Sequence, residues 1–202
     1  MYIKKTLAAL ILGGCAISTS SQATVITGSN THTISGADSF VYAYNQATVN
    51  LTAGADVAFL DMHDQSHVNF FAGELSWLNL YEQSTADIFG GNLSWLKLHD
   101  QSAADIHEAE ISWLLMGGDS IAHIYGSDFS YAGGHLSGKW ADGSAFSFWA
   151  LNMDGNGQIV PAFSASMPAN ISLHSVPTPG TLYLIGAALL PLIGFHRKLR
   201  QA

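Results

Sequence analysis

The sequence predicts an all-β fold: a parallel β-helix, or solenoid, of about five 18-residue rungs closed by a C-terminal β-hairpin. Three observations predict it. Residues 41–131 repeat with a period of 18; within each repeat the apolar residues come in pairs spaced by two; and short runs of turn formers separate the pairs. A spacing of two places both members of a pair on one face of a strand, and no helical spacing of three or four competes with it.

Residues 60–77, 78–95, 96–113 and 114–131 can be written one beneath another, preceded by a 19-residue version at 41–59. Each unit opens with Leu60, Leu78, Leu96 or Leu114, and two residues on stands Met62, Leu80, Leu98 or Met116. A second pair follows at Val68 and Phe70, Ala86 and Ile88, Ala104 and Ile106, and Ala122 and Ile124. The third is Leu75 with Trp77, Leu93 with Trp95, Ile111 with Trp113, and Phe129 with Tyr131. Three pairs per unit predict three short strands per turn. Between them, Asp64-Gln65-Ser66, Glu82-Gln83-Ser84 and Asp100-Gln101-Ser102 supply side chains that bond their own backbone and bend it. Stacked about 4.8 Å apart, such turns let each rung hand its backbone hydrogen bonds to the next, so that equivalent residues form ladders.

An open rung leaves backbone groups unpaired, so both ends need covering. Residues 24–40 read as a degenerate first rung, the N-terminal cap. Residues 132–151 read as a hairpin cap, because Asp142-Gly143 is a strong two-residue turn signal between Leu136 to Ala141 and Ser144 to Leu151. Trp140, Phe146, Phe148 and Trp149 are then expected to plug the last rung. Residues 152–175, rich in Gly, Pro, Ser and Ala, read as a linker. Within it, Asn152-Met153-Asp154-Gly155-Asn156-Gly157 imitates half an EF-hand loop but lacks the leading Asp and the closing Glu.

The two termini carry addresses. Lys4 and Lys5, an apolar stretch from Thr6 to Ile17 and Ser21-Gln22-Ala23 make residues 1–23 an export signal peptide, with Leu12-Gly13-Gly14-Cys15 as a competing lipidation motif. Residues 176–202 hold Val176-Pro177-Thr178-Pro179-Gly180, then an apolar run of 15 residues from Thr181 to Phe195, then His196-Arg197-Lys198-Leu199-Arg200. As a helix that run is about 22 Å long, a short transmembrane segment whose basic end stays on the cytoplasmic side.

This tail resembles the PEP-CTERM sorting signal, in which a Pro-containing motif, a short membrane helix and an Arg/Lys terminus follow one another. Pro177 and Pro179 match the motif prolines, Arg197, Lys198 and Arg200 match the basic end, and Thr178 stands where the family usually has Glu. The resemblance implies that signal peptidase and an exosortase, a membrane-embedded cysteine protease, handle the chain during export. It also implies a final place at the cell surface or in the extracellular matrix. Both hands of β-helix fit a period of 18, and the resemblance implies the right-handed one.

Five of the seven basic residues lie in these two segments, leaving Lys97 and Lys139 against all fifteen acidic residues. Such a body repels nucleic acid and acidic polysaccharide, attracts divalent cations, and excludes nucleic-acid binding as a function. The only cysteine, Cys15, lies in the signal peptide, so the exported body has no disulfide and no catalytic thiol. No Gly-x-Ser-x-Gly, Walker loop or His-Glu-x-x-His is present.

Three columns of side chains remain as candidates. Trp77, Trp95 and Trp113 lie one rung apart. Strand parity shared with Leu75, Leu93 and Ile111 predicts an inward corner; an outward row would instead grip a glycan. Asp64, Glu82 and Asp100 form one acidic column and Glu74, Asn92, Glu110 and Asp128 a second, at a spacing of about 5 Å where calcium would relieve repulsion and screening by solvent is the alternative. His63 and His99 share a column at about 10 Å, too far for one metal ion, while His67, His107 and His123 occupy other columns as surface residues. The expected function is a non-enzymatic structural or adhesive role within exopolysaccharide. The alternative is a glycan-binding solenoid, or, more remotely, a glycosidase using an Asp pair.

Overall fold

A computed structural model describes residues 23–160 and 166–177; the stretches read above as a signal peptide, a membrane helix and a basic terminus lie outside them. Within the described residues every regular element is a strand. Strands β1 (Thr24–Ile26) and β2 (Thr31–Ile34) make the first coil, and β3 (Ala37–Ala43) with β4 (Thr48–Leu51) the second. Next come β5 (Asp56–Met62) with β6 (His67–Phe70), β7 (Glu74–Leu80) with β8 (Thr85–Ile88), and β9 (Asn92–Leu98) with β10 (Ala103–Ile106). β11 (Glu110–Met116) and β12 (Ile121–Ala132) form the last. The solenoid therefore has about six turns, because residues 24–36 contribute a complete coil paired in parallel to the second.

Each coil holds two strands rather than the three expected, and in the four middle coils one has seven residues and the other four. The difference lies in a bend inside the longer strand. In β7, Leu75, Leu78 and Leu80 are buried while Ser76 and Trp77 both face outward. Simple alternation cannot bury both Leu75 and Leu78, so the side of the coil changes at Ser76. The pairing register skips the same position in neighbouring coils, at Ala58, Ser94 and Ser112.

Parallel pairing at a constant 18-residue offset stacks like on like. Leu60, Leu78, Leu96 and Leu114 align, as do Met62, Leu80, Leu98 and Met116, all buried in one continuous core. Sealing such a side chain from water contributes about 1.5–3 kcal/mol. On the opposite wall Leu51, Phe70, Ile88, Ile106 and Ile124 form a ladder in which Phe70 is the largest member. Its ring fits because Gly91 carries no side chain: a Cβ there would meet Phe70 Cζ at 2.5 Å, and the residue sits at φ +88°.

Turns between the long and short strands are also identical from coil to coil. Ser66 N–H donates to His63 O and Ser84 N–H to Tyr81 O, at 3.1 and 3.0 Å, while Asp64, Glu82 and Asp100 adopt positive φ. Positive φ at the second residue of a hydrogen-bonded four-residue turn is the type II′ pattern. The fourth residue points into the core, where Ser66, Ser84, Ser102 and Ser120 are fully buried and the second coil has Ala47.

Beyond Gly126, β12 leaves its sheet and pairs antiparallel with β13 (His135–Lys139), which pairs with β14 (Ala145–Asn152); β14 in turn lies parallel on β11. The hairpin thus covers the last coil's open edge. At its turn, Asp142 accepts from the Ser144 N–H and hydroxyl, which lowers its pKa. Leu136, Trp140, Phe146 and Phe148 plug the core. Trp149 differs from expectation: it points outward, because Phe148 and Ala150 on either side of it face in.

The segment read as a linker is in part structural. Ile171–Ser175 forms β15, parallel to β12, and Asn170 Nδ2 donates to Ser120 O at 2.7 Å. Met153, with Leu115 and Leu151, packs beneath Trp95, Trp113 and Trp149 as a small second cluster. Asp154 accepts from the N–H groups of Asn156 and Gln158, so the carboxylate of the EF-hand-like stretch closes its own turn.

Candidate functional surface

The outside of the solenoid is organised as uninterrupted ladders. One runs Phe40, Phe59, Trp77, Trp95, Trp113, Trp149, with ring centroids 5.2, 5.9, 4.9, 4.8 and 5.3 Å apart and planes within 11°. The bend at Ser76 and its equivalents puts these rings outside, which overturns the inward corner predicted from parity with Leu75. The indoles are half-buried, and the Lys97 ammonium sits 4.7 Å from the Trp77 ring. Face-to-face stacking covers each indole's two faces with its neighbours, and the ring edges are what meet solvent. A glycan gripped through ring faces needs those faces open, so this arrangement favours cohesion between coils.

Two further ladders escaped the sequence reading. Tyr44, His63, Tyr81 and His99 stack at 4.8, 4.8 and 4.7 Å at the first position of the II′ turns. Phe71, Phe89, His107, Tyr125 and His174 stack at 5.5, 5.0, 4.4 and 4.7 Å where the short strands end. Phe71 and Phe89 are 48% and 41% exposed, an apolar strip on a polar flank. Equivalent unit positions in the sequence carried the signal, but the rings there alternate between Tyr, His and Phe, so no single residue type repeats. His63 and His107 stand inside these stacks. Burial pushes the His99 pKa down, against the opposing pull of the Asp100 carboxylate, and burial pushes that of Tyr81 up.

Asp64, Glu82 and Asp100 do come together in one column, each one coil from the next. Each carboxylate accepts from the backbone N–H of the residue one coil before it: Asp64 from Asn45 at 2.8 Å, Glu82 from Asp64, and Asp100 from Glu82 at 3.0 Å. The positive φ of Asn45, Asp64 and Glu82 accompanies an N–H directed at the next coil's carboxylate. A backbone dipole therefore offsets the like-charge repulsion for which calcium was considered. Beside it Gln46, Gln65 and Gln83 form an amide ladder, and the two columns line a shallow open groove. In the second acidic column Glu74, Asn92 and Glu110 align as expected, whereas Asp128 leaves it to pair with Lys139 at 2.7 Å. Among the described residues no three His, Cys, Asp or Glu side chains form a metal site.

Across the end of the solenoid, His123 Nδ1 faces His174 Nε2 at 3.0 Å, and Tyr125 donates to Asp105 at 3.3 Å. Burial, and then the Asp105 carboxylate, raise the Tyr125 pKa. Of the segment read as a sorting motif, Val176 and Pro177 are described, and Val176 N–H donates to Gly126 O at 2.8 Å. Thr178, Pro179, Arg197, Lys198 and Arg200 lie outside the described residues. Among those described, no helix is long and apolar enough to cross a membrane. Compared with known proteins, the chain matches no family model, no curated protein and no solved structure.

Proposed function

We propose that this chain is an exported, non-catalytic structural solenoid of the cell surface or extracellular matrix, delivered by signal peptidase and an exosortase-type system. The Val176-Pro177-Thr178-Pro179-Gly180 motif, followed by the apolar run and Arg197, Lys198 and Arg200, is the observation that carries the reading. The body supports it as a cohesive rod. The ring ladders and the Asp64, Glu82 and Asp100 column tie coil to coil, and the two lysines leave a strongly anionic surface that stays solvated among polysaccharide chains. Adhesion to exopolysaccharide then rests on many weak lateral contacts, such as those of the Phe71 and Phe89 strip, rather than on a pocket.

Because Val176 is still hydrogen-bonded to the solenoid, cutting at the motif would occur directly against the body. The test is the intact mass of the protein from its native host with and without exosortase. A species that begins near Thr24 and ends within the 176–180 motif only when exosortase is present is the expected result. An uncut tail in both strains overturns the sorting reading, and a lipid on Cys15 reassigns the chain to the lipoproteins.

A further inference from the structure

We propose that His123 and His174 form a two-imidazole clamp for a divalent transition metal that takes ligands at right angles, Ni2+ or Cu2+, joining the last two strands of the shorter-strand sheet. His123 lies on β12 and His174 on β15, and the register pairs His123 with Ser172 and Tyr125 with His174, so the histidines are diagonal neighbours across one ladder. Their nitrogens face each other at 3.0 Å with the rings inclined at 54°.

That separation is an ordinary hydrogen-bond length, and it also suits two ligands set side by side on one metal ion. With metal–nitrogen bonds of about 2.05 Å, a tetrahedral angle sets two ligand nitrogens about 3.3 Å apart and a right angle about 2.9 Å. The observed 3.0 Å is closer to the right angle. Imidazole nitrogen is also the ligand type these ions prefer over carboxylate or carbonyl oxygen. At present one ring's N–H donates to the other ring's nitrogen. On ligation both nitrogens turn toward a metal seated beside the line that joins them, and the donor ring's proton moves to its far nitrogen, so no net proton is released.

The surroundings hold the pair ready. Tyr125 stacks on His174 at 4.7 Å and is tied through its hydroxyl to Asp105, which precedes His123 in its column, with Asp87 one coil further. The two carboxylates give this face a negative potential that draws cations in. Among the described residues no third His, Cys, Asp or Glu converges here, which leaves the remaining coordination positions to water. Ligation would fasten β15, and with it the start of the segment leading to Val176, to the body. The clamp does not depend on the sorting reading.

The test is thermal unfolding of the full-length chain without an affinity tag, stripped with EDTA and then titrated with NiCl2. The unfolding midpoint should rise by about 3 °C or more at saturating metal and fall back when EDTA is added. His123→Gln and His174→Gln, each compared with its own metal-free midpoint, should lose the rise, while His32→Gln on exposed β2 should keep it. An absent rise in the unaltered chain, or one that survives in either clamp variant, overturns the proposal.

Discussion

The Trp95 indole lies 4.8 Å from that of Trp113 with the planes 6° apart, and 4.9 Å from that of Trp77 at 3°. Strand spacing in a parallel sheet sets nearly the same distance, so the backbone holds flat rings at stacking separation without further adjustment. Trp95→Ala removes two such pairs at once. It should lower stability by about 2–4 kcal/mol, from lost area and two ring contacts, read as an earlier midpoint in urea. A midpoint shift under 1 kcal/mol would mean that the ladder is ornamental to the fold.

Gly91→Ala tests the Phe70 ladder. The substitution sets a Cβ 2.5 Å from Phe70 Cζ and 2.8 Å from Gly73 O at a positive φ, so ring and backbone must both move. A loss of about 2–4 kcal/mol is expected. Gly143→Ala also has positive φ but open space around its Cβ, and should cost less; equal losses would assign the whole effect to φ.

Ser84→Ala should hold or raise stability. Its hydroxyl is fully buried and has no hydrogen-bond partner, and the equivalent residue of the second coil is already Ala47. Removing an unsatisfied hydroxyl of that kind gains up to about 1 kcal/mol. Ser102→Ala is the contrast, because Ser102 Oγ accepts from His99 N–H at 3.1 Å. Urea midpoints of the two variants should separate in that order.

His99 gives the solenoid a pH dependence of definite sign. Burial lowers its folded pKa below the unfolded value of 6.5, so the unfolded chain binds more protons as the solution is acidified. Its contribution is complete above the unfolded pKa and is lost as pH falls from there towards the folded pKa. His99→Phe keeps a ring against Tyr81 and removes the titration. Its stability should therefore fall less steeply below pH 6.5 than that of the unaltered chain; parallel curves would sink the assignment.

The period of 18, the inward Leu and Met columns and a hairpin turning near Asp142-Gly143 were legible in the sequence, because each is a local pattern or a strict repeat of one, although the hairpin's loop runs from Trp140 to Ser144 rather than over two residues. Burial follows from alternation wherever a strand runs straight, as at Leu78 and Leu80. Where the strand bends, at Ser76 and its counterparts, alternation resets, and only the folded coil shows that Trp77 faces out while Leu75 faces in. The acidic column tells a similar story: sequence places Asp64, Glu82 and Asp100 one above another, but the N–H groups that their carboxylates accept from become visible only once φ is known. Residues 171–175 lie about fifty positions beyond their partners in β12, outside the repeat, so no periodicity could announce β15 or bring His174 to His123. A repeating sequence determines the coil by itself, since every unit meets a copy of its own surroundings; the bend recurs in every unit yet shows only in the folded strand, and the closing strand β15 is placed by tertiary pairing with residues outside its own neighbourhood.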